Sequence, residues 1–189
     1  MLSRNMTHNI KMLISQHIEA QFKKQLTALD ATLGNGFDLE FLVMQQKITK
    51  VYGFDIQEEA IHQSKKRIKD SEKSIQWIHD THSNLDKYIT EPLDIVLFNL
   101  GYLPGGDKTI VTEHEQTLCA IKKAIELLSD EGIMSIMTYP GHKEGALEDE
   151  LIANYLQTQH TKELSILKLS VENVYKPCPK SYLIIKKRT

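Results

Sequence analysis

The chain has 189 residues, a formal net charge of -2 and a sequence pI of about 6.4, with 41% hydrophobic and 25% charged residues. This composition is typical of a globular protein and argues against the disordered and fibrous classes. The charge balance argues against a non-specific nucleic-acid coat, but it leaves room for a structured RNA bound by a local patch. The length suits one domain over residues 1–189.

The sequence predicts neither a membrane partner nor a metal site. No window reaches about 18 apolar residues, and the N-terminus lacks the apolar region of a signal peptide. The two cysteines, Cys119 and Cys178, have no CxxC spacing, which argues against a zinc site and a disulfide framework. Because free thiols suit a reducing compartment, we expect a cytoplasmic protein.

Helical and strand-like patterns alternate along the chain. An amphipathic helix is predicted over 6–22, and the segment 1–22 is expected to pack on the core or at a homodimer interface. Strands are then predicted at 25–30, 50–55, 75–79, 93–98 and 133–137. Helices are predicted over 37–46, over 57–69, after a capping box Thr112-x-x-Glu115, and over 144–157.

Two late strands, near 164–171 and 182–187, have no helical pattern between them, which favours an antiparallel hairpin at one edge of the sheet. Strands that alternate with helices favour right-handed crossovers and parallel pairing. The predicted fold is therefore an α/β, Rossmann-like, doubly wound and mainly parallel seven-stranded sheet with an antiparallel edge hairpin.

The turn after the first strand is the first candidate for ligand binding, since ligands of such sheets bind beyond the carboxyl ends of the strands. It reads Asp30-Ala31-Thr32-Leu33-Gly34-Asn35-Gly36, and its glycines allow a tight turn that a ligand can approach. Asp55 ends the second strand, where a carboxylate can accept both hydroxyl groups of a ribose. This combination predicts a cofactor that contains adenosine.

The NAD fingerprint requires a third glycine where this chain has Leu39, so an NAD oxidoreductase is the weaker alternative. S-adenosylmethionine keeps the adenosine but replaces the diphosphate by an amino acid, whose ammonium group Asp30 or Asp38 could receive. Asp38 also suits the first turn of a helix because of the helix dipole.

The loop after the third strand, His79-Asp80-Thr81-His82, is expected to border the adenine, with Asp80, Thr81 and His82 as the candidate contacts. A histidine that merely faces solvent is an equal alternative for His82. Gln57 could flank the adenine or simply begin its helix.

The fourth strand leads into Asn99-Leu100-Gly101-Tyr102-Leu103-Pro104-Gly105-Gly106-Asp107. The side-chain oxygen of Asn99 and nearby backbone carbonyls could hold an amine with its lone pair aimed at a methyl group, and Tyr102 could stack on a planar base. An ordinary turn is the alternative. A buried strand that ends in such a loop favours function, and the candidate catalytic residues here are Asn99, Leu100, Gly101, Tyr102 and Asp107.

The fifth strand ends at Thr138-Tyr139-Pro140-Gly141-His142. Tyr139 and His142 are therefore expected at the same edge of the sheet as the loop after the fourth strand, and they are also candidate catalytic residues. His142 could take a proton or contact a phosphate, although a loop histidine without a task is nearly as good an interpretation.

This series of motifs resembles the class I S-adenosylmethionine-dependent methyltransferases and, more narrowly, a small bacterial family long labelled putative ribosomal-RNA methylase. The resemblance spans about residues 1 to 187 and rests on DATLGNGFD, VYGFDIQEEA, HDTHSNLD, FNLGYLPGGDK and YPGH, in that order. It implies methylation of the aminomethyl group of 5-aminomethyl-2-thiouridine at the wobble position of tRNA. The alternatives are another amine, on ribosomal RNA or a small metabolite, and a non-catalytic nucleotide- or RNA-binding module.

The resemblance implies cofactor contacts from Asn35, Asp38, Asp55, Gln57 and His82. Amine methyltransferases carry Asn/Asp-Pro-Pro-Tyr/Phe where this chain has Asn99-Leu100-Gly101-Tyr102, so two prolines are replaced. A tRNA anticodon stem-loop needs aromatic platforms for its unstacked bases and cations for its phosphates. The candidate platforms are Tyr102, Tyr139 and Tyr175, and the candidate basic rim consists of Lys108, Lys143, Lys176, Lys180, Lys186, Lys187 and Arg188.

Overall fold

The computed structural model describes residues 5–69, 71–101, 114–173 and 175–188. Its helices are α1 (Met6–Gln21), α2 (Phe37–Met44), α3 (Glu58–Arg67), a 3₁₀ helix (His82–Lys87), α4 (His114–Leu127) and α5 (Lys143–Gln157). Its strands are β1 (Leu26–Asp30), β2 (Ile48–Asp55), β3 (Ser74–His79), β4 (Leu93–Asn99), β5 (Leu128–Thr138), β6 (Leu164–Leu169) and β7 (Lys180–Lys186).

The strands form one seven-stranded sheet in the order β3-β2-β1-β4-β5-β7-β6. The first five strands pair in parallel, whereas β7 pairs antiparallel with both β5 and β6. The predicted Rossmann-like sheet with an antiparallel edge hairpin is therefore confirmed. The later strand of the hairpin, β7, lies between β5 and β6, so β6 forms the edge of the sheet.

Strand β4 is buried on both faces, as its nearly continuous apolar sequence predicts. Ile95 and Leu97 point into one core cluster, and Val96 and Phe98 point into the other, which is the alternation expected along a strand. One cluster contains residues of α4 and α5, and the other contains residues of α1, α2 and α3. The sheet therefore separates two helical layers.

Helix α1 covers the sheet with a stripe of three isoleucines one turn apart. Ile10, Ile14 and Ile18 are each 3% exposed or less and belong to the same cluster as Leu39 and Val51. The spacing of four residues places them on one face of the helix. Asn5 caps the helix by accepting a hydrogen bond from the backbone nitrogen of His8.

Strand β5 begins earlier than the predicted start at residue 133. It follows α4 directly, and its pairing with β4 is irregular between the pairs Leu93–Leu128 and Ile95–Ile133. The polar residues inside this irregularity include Glu131, whose φ of 61° is left-handed. A bulge of polar residues carries no apolar alternation, which is why the sequence pattern misses it.

Two further boundaries differ from the predictions. The 3₁₀ helix His82–Lys87 falls where only a loop is expected, because a single tight turn has no helical periodicity to detect. Thr112, the first residue of the predicted capping box, lies outside the described residues. Within those residues, no helix combines the length and the apolar character needed to cross a bilayer.

Candidate active site

Three predicted site elements meet at the carboxyl edge of the parallel strands. The backbone nitrogen of Gly34 donates to Asp55 Oδ2 over 2.9 Å, which joins the glycine turn to the end of β2. Asn99 Nδ2 donates to Asp38 Oδ2 over 2.9 Å, and Asn99 N donates to Thr32 Oγ1 over 2.8 Å. The turn after β1, the acid that ends β2 and the asparagine that ends β4 therefore lie together at this edge of the sheet.

The glycine turn depends on left-handed backbone at both of its glycines, with φ of 49° at Gly34 and 77° at Gly36. A Cβ on Gly36 would lie 2.9 Å from the Cα of Ser64 on α3. Gly36 is therefore required for close packing of α3 against the turn, a role beyond approach by a ligand. Arg67 Nε donates to the backbone oxygen of Asn35 over 2.7 Å and holds the turn from outside.

Both carboxylate oxygens of Asp55 accept backbone hydrogen bonds, Oδ2 from Gly34 and Oδ1 from Gln57, each over 2.9 Å. Burial raises the pKa of Asp55, although these backbone donors oppose the rise. A carboxylate has about four lone-pair sites, so acceptors remain for ribose hydroxyls. Gln57 is the N-cap residue of α3, but its side chain makes no capping hydrogen bond.

The two acids predicted to receive an ammonium group differ in what they already bind. Asp38 has both oxygens in use, since Lys11 Nζ lies 2.7 Å from Oδ1 and Asn99 donates to Oδ2. Asp30 is fully buried, and its Oδ1 accepts from the backbone nitrogen of Thr32 over 3.1 Å. Its Oδ2 has no partner among the described residues.

Asp38 already has Lys11 as a cationic partner, whereas Asp30 Oδ2 has no partner among the described residues. Burial raises the pKa of Asp30 well above its usual range, and the charges of Asp38 and Asp55 add to the rise. A buried carboxyl oxygen without a partner is costly. A cationic group brought by a ligand would lower that cost, so of the two candidates Asp30 is better suited to hold it.

The side chain of Asn99 is held from two sides. Its Oδ1 accepts from the Tyr139 hydroxyl over 2.7 Å, while its Nδ2 faces Asp38. Burial and the charge of Asp38 raise the pKa of Tyr139, so the phenol stays a neutral donor at pH 7. A Cβ on Gly101 would lie 3.3 Å from the Tyr139 ring, which places Gly101 against that ring.

The remaining candidates from the loop after β4 differ in their surroundings. Leu100 is buried, and its backbone nitrogen donates to the oxygen of Met137 over 2.9 Å, which extends the pairing of β4 with β5. Tyr102 and Asp107 lie outside the described residues. The start of this loop is therefore anchored to β5 through the backbone of Leu100.

Asp80 and Thr81 stabilise the loop expected to border the adenine. Asp80 accepts from Asn84 Nδ2 over 3.0 Å and from the Tyr88 hydroxyl over 2.9 Å. Partial burial of Asp80 opposes its charge, but these hydrogen bonds outweigh it and lower the pKa of Asp80. Thr81 caps the 3₁₀ helix by accepting from the backbone nitrogen of Ser83 over 3.3 Å.

His82 is buried, with 6% of its surface exposed, so the alternative of a solvent-facing loop histidine is wrong. Its ring meets the ring of Phe98 edge-on at a centroid distance of 5.8 Å, and it hydrogen-bonds the backbone of Ala31. Its Nε2 has no partner among the described residues. Burial lowers the pKa of His82 to about 4, so the imidazole is neutral at pH 7.

His142 has a structural task at the start of α5. It is the N-cap residue, and its Nδ1 accepts from the backbone nitrogen of Gly145 over 3.1 Å. A Cβ on Gly145 would lie 2.1 Å from the backbone oxygen of Tyr139, so this tight approach needs glycine. His142 is exposed to solvent at the N-terminus of α5.

The predicted basic rim is wrong for its last three members. Strand β7 runs antiparallel to β5, so Lys180 lies opposite Thr138 at the site, while the end of β7 lies at the other edge of the sheet. There Lys186 Nζ binds the backbone oxygen of Leu128 over 2.7 Å. Lys187 and Arg188 follow at that edge, where they contact Thr161 and Glu131.

The other predicted RNA-binding residues outside the loop after β4 differ in their exposure and partners. Lys143 and Lys176 are exposed, Tyr175 is fully exposed, and Lys180 forms an ion pair with Asp149. Lys108 lies outside the described residues.

Sequence reasoning missed Lys11. This lysine of α1 contacts Asp38 and also donates to the backbone oxygen of Phe37 over 2.8 Å. A lysine on the polar side of an N-terminal helix looks like a solvated surface residue, and its sequence gives no signal of a partner 27 positions away. Within the described ranges, no group of three or more acidic, histidine or cysteine side chains is suited to bind a metal ion.

The buried imidazole of His82 predicts a loss of stability in acid. The pKa of this side chain falls from its ordinary value of 6.5 to about 4 on folding, so between these values only the unfolded chain takes up the proton. The stability that neutral His82 provides is fully present above pH 6.5. As the pH falls from 6.5 to 4, this contribution to the free energy of unfolding decreases by about 2 to 3 kcal/mol.

Urea unfolding of the wild type and of His82→Gln between pH 7 and 4.5 measures this loss, because glutamine does not titrate. The free energy of unfolding of the wild type, relative to the variant, should decrease steadily toward acid pH. A difference that stays constant over the range would show that His82 does not titrate as its burial requires.

Comparison with known proteins identifies the family. The family model described as "Putative rRNA methylase" matches residues 51–186. A curated relative, the chloroplastic tRNA (mnm(5)s(2)U34)-methyltransferase of Arabidopsis thaliana, is 33% identical in an alignment of 147 positions that covers 71% of this chain and 54% of the relative. The chain thus spans about half the length of that relative.

Solved structures resemble the whole fold, and two of them illustrate the likeness. One, described as a "putative rRNA-methylase" from Clostridium thermocellum, is 34% identical, with a TM-score of 0.89, and the match covers 98% of this chain and 100% of that one. Another, described as a "putative methyltransferase" from Streptococcus mutans in complex with SAH, is 31% identical, with a TM-score of 0.84, and the match covers 98% of this chain and 99% of that one. The chain therefore belongs to the putative rRNA methylase family.

Proposed function

We propose that this methyltransferase acts on the aminomethyl group of 5-aminomethyl-2-thiouridine at the wobble position of tRNA and forms 5-methylaminomethyl-2-thiouridine. The observation that carries the proposal is the neutral oxygen acceptor of Asn99, oriented between Asp38 and Tyr139 at the end of β4. The name of the Arabidopsis relative, which refers to a modified uridine of tRNA, supports the choice of substrate.

The residues that lie together at the carboxyl edge of the parallel strands fit S-adenosylmethionine. Asp55 offers free lone pairs for ribose hydroxyls, and Asp30 Oδ2 offers an unpaired acceptor for an ammonium group. His82 offers a buried ring nitrogen without a partner beside the expected adenine. The full proposed set is Asp30, Gly34, Asn35, Gly36, Asp38, Asp55, Gln57, Asp80, Thr81, His82 and Asn99. When bound, this cofactor supplies an electrophilic methyl group on a positively charged sulfur.

The acceptor amine must be neutral before its nitrogen can attack. At pH 7, deprotonating an alkyl amine with a pKa near 10 costs about 4 kcal/mol. Asn99 Oδ1 has one lone pair beyond the bond from Tyr139, and an amide oxygen can accept an N–H without taking the proton. This bond would leave the nitrogen lone pair free, so the contribution of Asn99 is orientation, which can supply much of the rate acceleration.

The exposed residues near the end of β5 support an RNA substrate. Tyr175 exposes its whole ring, and Lys143 and Lys176 are exposed. Lys176 follows Tyr175 in the chain, and the backbone oxygen of the next residue, Pro177, would lie 3.8 Å from a Cβ on Gly141. An exposed aromatic ring can stack on an unpaired base, and lysines can contact phosphates. A single domain over residues 1–189, a homodimer and a cytoplasmic location remain predictions beside this proposal.

The proposed activity is tested by incubating the protein and S-adenosylmethionine with tRNA that carries the aminomethyl nucleoside. Digestion and mass spectrometry of the nucleosides should show a gain of one methylene unit on that nucleoside. Ribosomal RNA treated in the same way is the control for the alternative substrate. Methylation of ribosomal RNA without any change in the tRNA would refute the proposal.

Replacing Asn99 by alanine should slow the reaction more than it weakens cofactor binding. The variant loses the proposed amine acceptor, so turnover at saturating cofactor should fall by about 10²-fold, the cost of losing precise placement of a reacting group. Single-turnover assays measure the rate, and calorimetry measures the affinity for the cofactor. Turnover equal to that of the wild type would exclude the proposed role of Asn99.

Replacing Asp55 by alanine should act on cofactor binding itself. Hydrogen bonds to a charged group contribute about 1.5 to 3 kcal/mol each, so the dissociation constant should rise at least tenfold. Glu91→Ala is a matched control, because this acid pairs with Lys50 at the other end of β2. Calorimetry should find unchanged affinity for the control, and an equally unchanged affinity for Asp55→Ala would contradict the ribose assignment.

A further inference from the structure

A chain of hydrogen bonds connects the first helix to the candidate acceptor. Lys11 Nζ contacts Asp38 Oδ1 over 2.7 Å, and Asp38 Oδ2 accepts from Asn99 Nδ2 over 2.9 Å. Asn99 Oδ1 in turn accepts from the Tyr139 hydroxyl over 2.7 Å. Side chains from α1, α2, the end of β4 and the end of β5 thus form one continuous network.

The direction of the Asn99 amide in this network follows from the charge of its neighbour. An amide can present either its oxygen or its NH₂ group to a partner, and only the partners decide which. An ionised carboxylate accepts but cannot donate, so an ionised Asp38 requires the nitrogen of Asn99 on its side. The oxygen then points away from Asp38, toward Tyr139.

Lys11 is the cation that fixes the position of the Asp38 carboxylate, since its Nζ lies 2.7 Å from Asp38 Oδ1. The Lys11–Asp38 pair is partly shielded, with side-chain exposures of 24% and 12%, so water screens it less than an ordinary surface pair. A second bond from Lys11 to the backbone oxygen of Phe37 fixes the position of the ammonium group.

We propose that Lys11 is a positioning residue that sets the orientation of the Asn99 amide by holding Asp38 as an oriented carboxylate. Without Lys11, the Asp38 carboxylate loses the contact that fixes one of its oxygens and can rotate away from Asn99, so the amide can turn its NH₂ group toward the position of the acceptor amine. An NH₂ group at that position would face the N–H groups of the amine and could not accept a hydrogen bond from them. The catalytic consequence rests on the proposed transfer to an amine, whereas the orientation of Asn99 does not.

The chain provides a matched control in Lys47. This lysine also ties α1 to the rest of the molecule, through Glu19 Oε2 over 2.7 Å and the backbone oxygen of Ile18 over 3.3 Å. Its exposure, 26%, is close to that of Lys11, but its contacts lie at the other end of the helix. Replacing Lys47 removes a tether of α1 and leaves the Asp38–Asn99 network in place.

The kinetic test compares Lys11→Met, Lys11→Arg and Lys47→Met at saturating cofactor and tRNA. Lys11→Met should lower kcat by about tenfold while the KM for tRNA changes little, since the amine is bound but misdirected. Lys11→Arg should restore most of the rate, and Lys47→Met should keep it. In the Asn99→Ala background, Lys11→Met should cause no further loss of kcat. A further tenfold loss in that background would overturn the proposal.

A second readout does not depend on the substrate. In ¹⁵N-labelled protein, the side-chain NH₂ signals of Asn99 can be assigned by their absence from Asn99→Ala. These signals should shift in Lys11→Met and stay in place in Lys47→Met and Lys11→Arg. Unmoved signals in folded Lys11→Met would refute the positioning role. If the tRNA is not methylated by the wild type, the proposed function fails, but this measurement still decides the role of Lys11.

Discussion

The burial of β4 on both faces is the constraint on which the site depends. Because Val96 and Phe98 pack on one helical layer and Ile95 and Leu97 on the other, the strand is held between the two layers in the centre of the sheet. Its parallel neighbours then end at the same edge, with Leu97 beside Asp30 and Asn99 beside Met137. Apolar packing thus determines where the polar chemistry can occur.

The polar groups at that edge are unequally satisfied. Asp38 and Asp55 have partners for both carboxylate oxygens, whereas one oxygen of Asp30 and one nitrogen of His82 are buried without any among the described residues. Such groups are costly in a folded protein. The groups of Asp30 and His82 lie where β1 and β3 lead into their loops, so a ligand there could complete their hydrogen bonds; a third such group among the described residues, Nδ1 of His114, lies on α4.

The fold and the meeting of Asp55 and Asn99 at one edge of the sheet could be predicted because both depend on local sequence patterns. Alternating patterns determine the strands, and Asp55 and Asn99 lie at strand ends that parallel pairing must bring together. Lys11 could not be found, since its contact with Asp38 depends on how α1 packs across the sheet. The prediction of a basic rim was wrong for Lys186, Lys187 and Arg188 for a related reason, since the direction of β7 decides which edge of the sheet receives the end of that strand.

The placement of β7 between β5 and β6 has a consequence for biosynthesis. Strand β6 has β7 as its sheet neighbour, and β7 comes later in the chain. While the polypeptide leaves the ribosome, β6 therefore appears with both of its edges unpaired, although β1 to β5 can already associate. Unpaired strand edges invite aggregation, so the nascent protein is most vulnerable in the interval between the appearance of β6 and the arrival of β7.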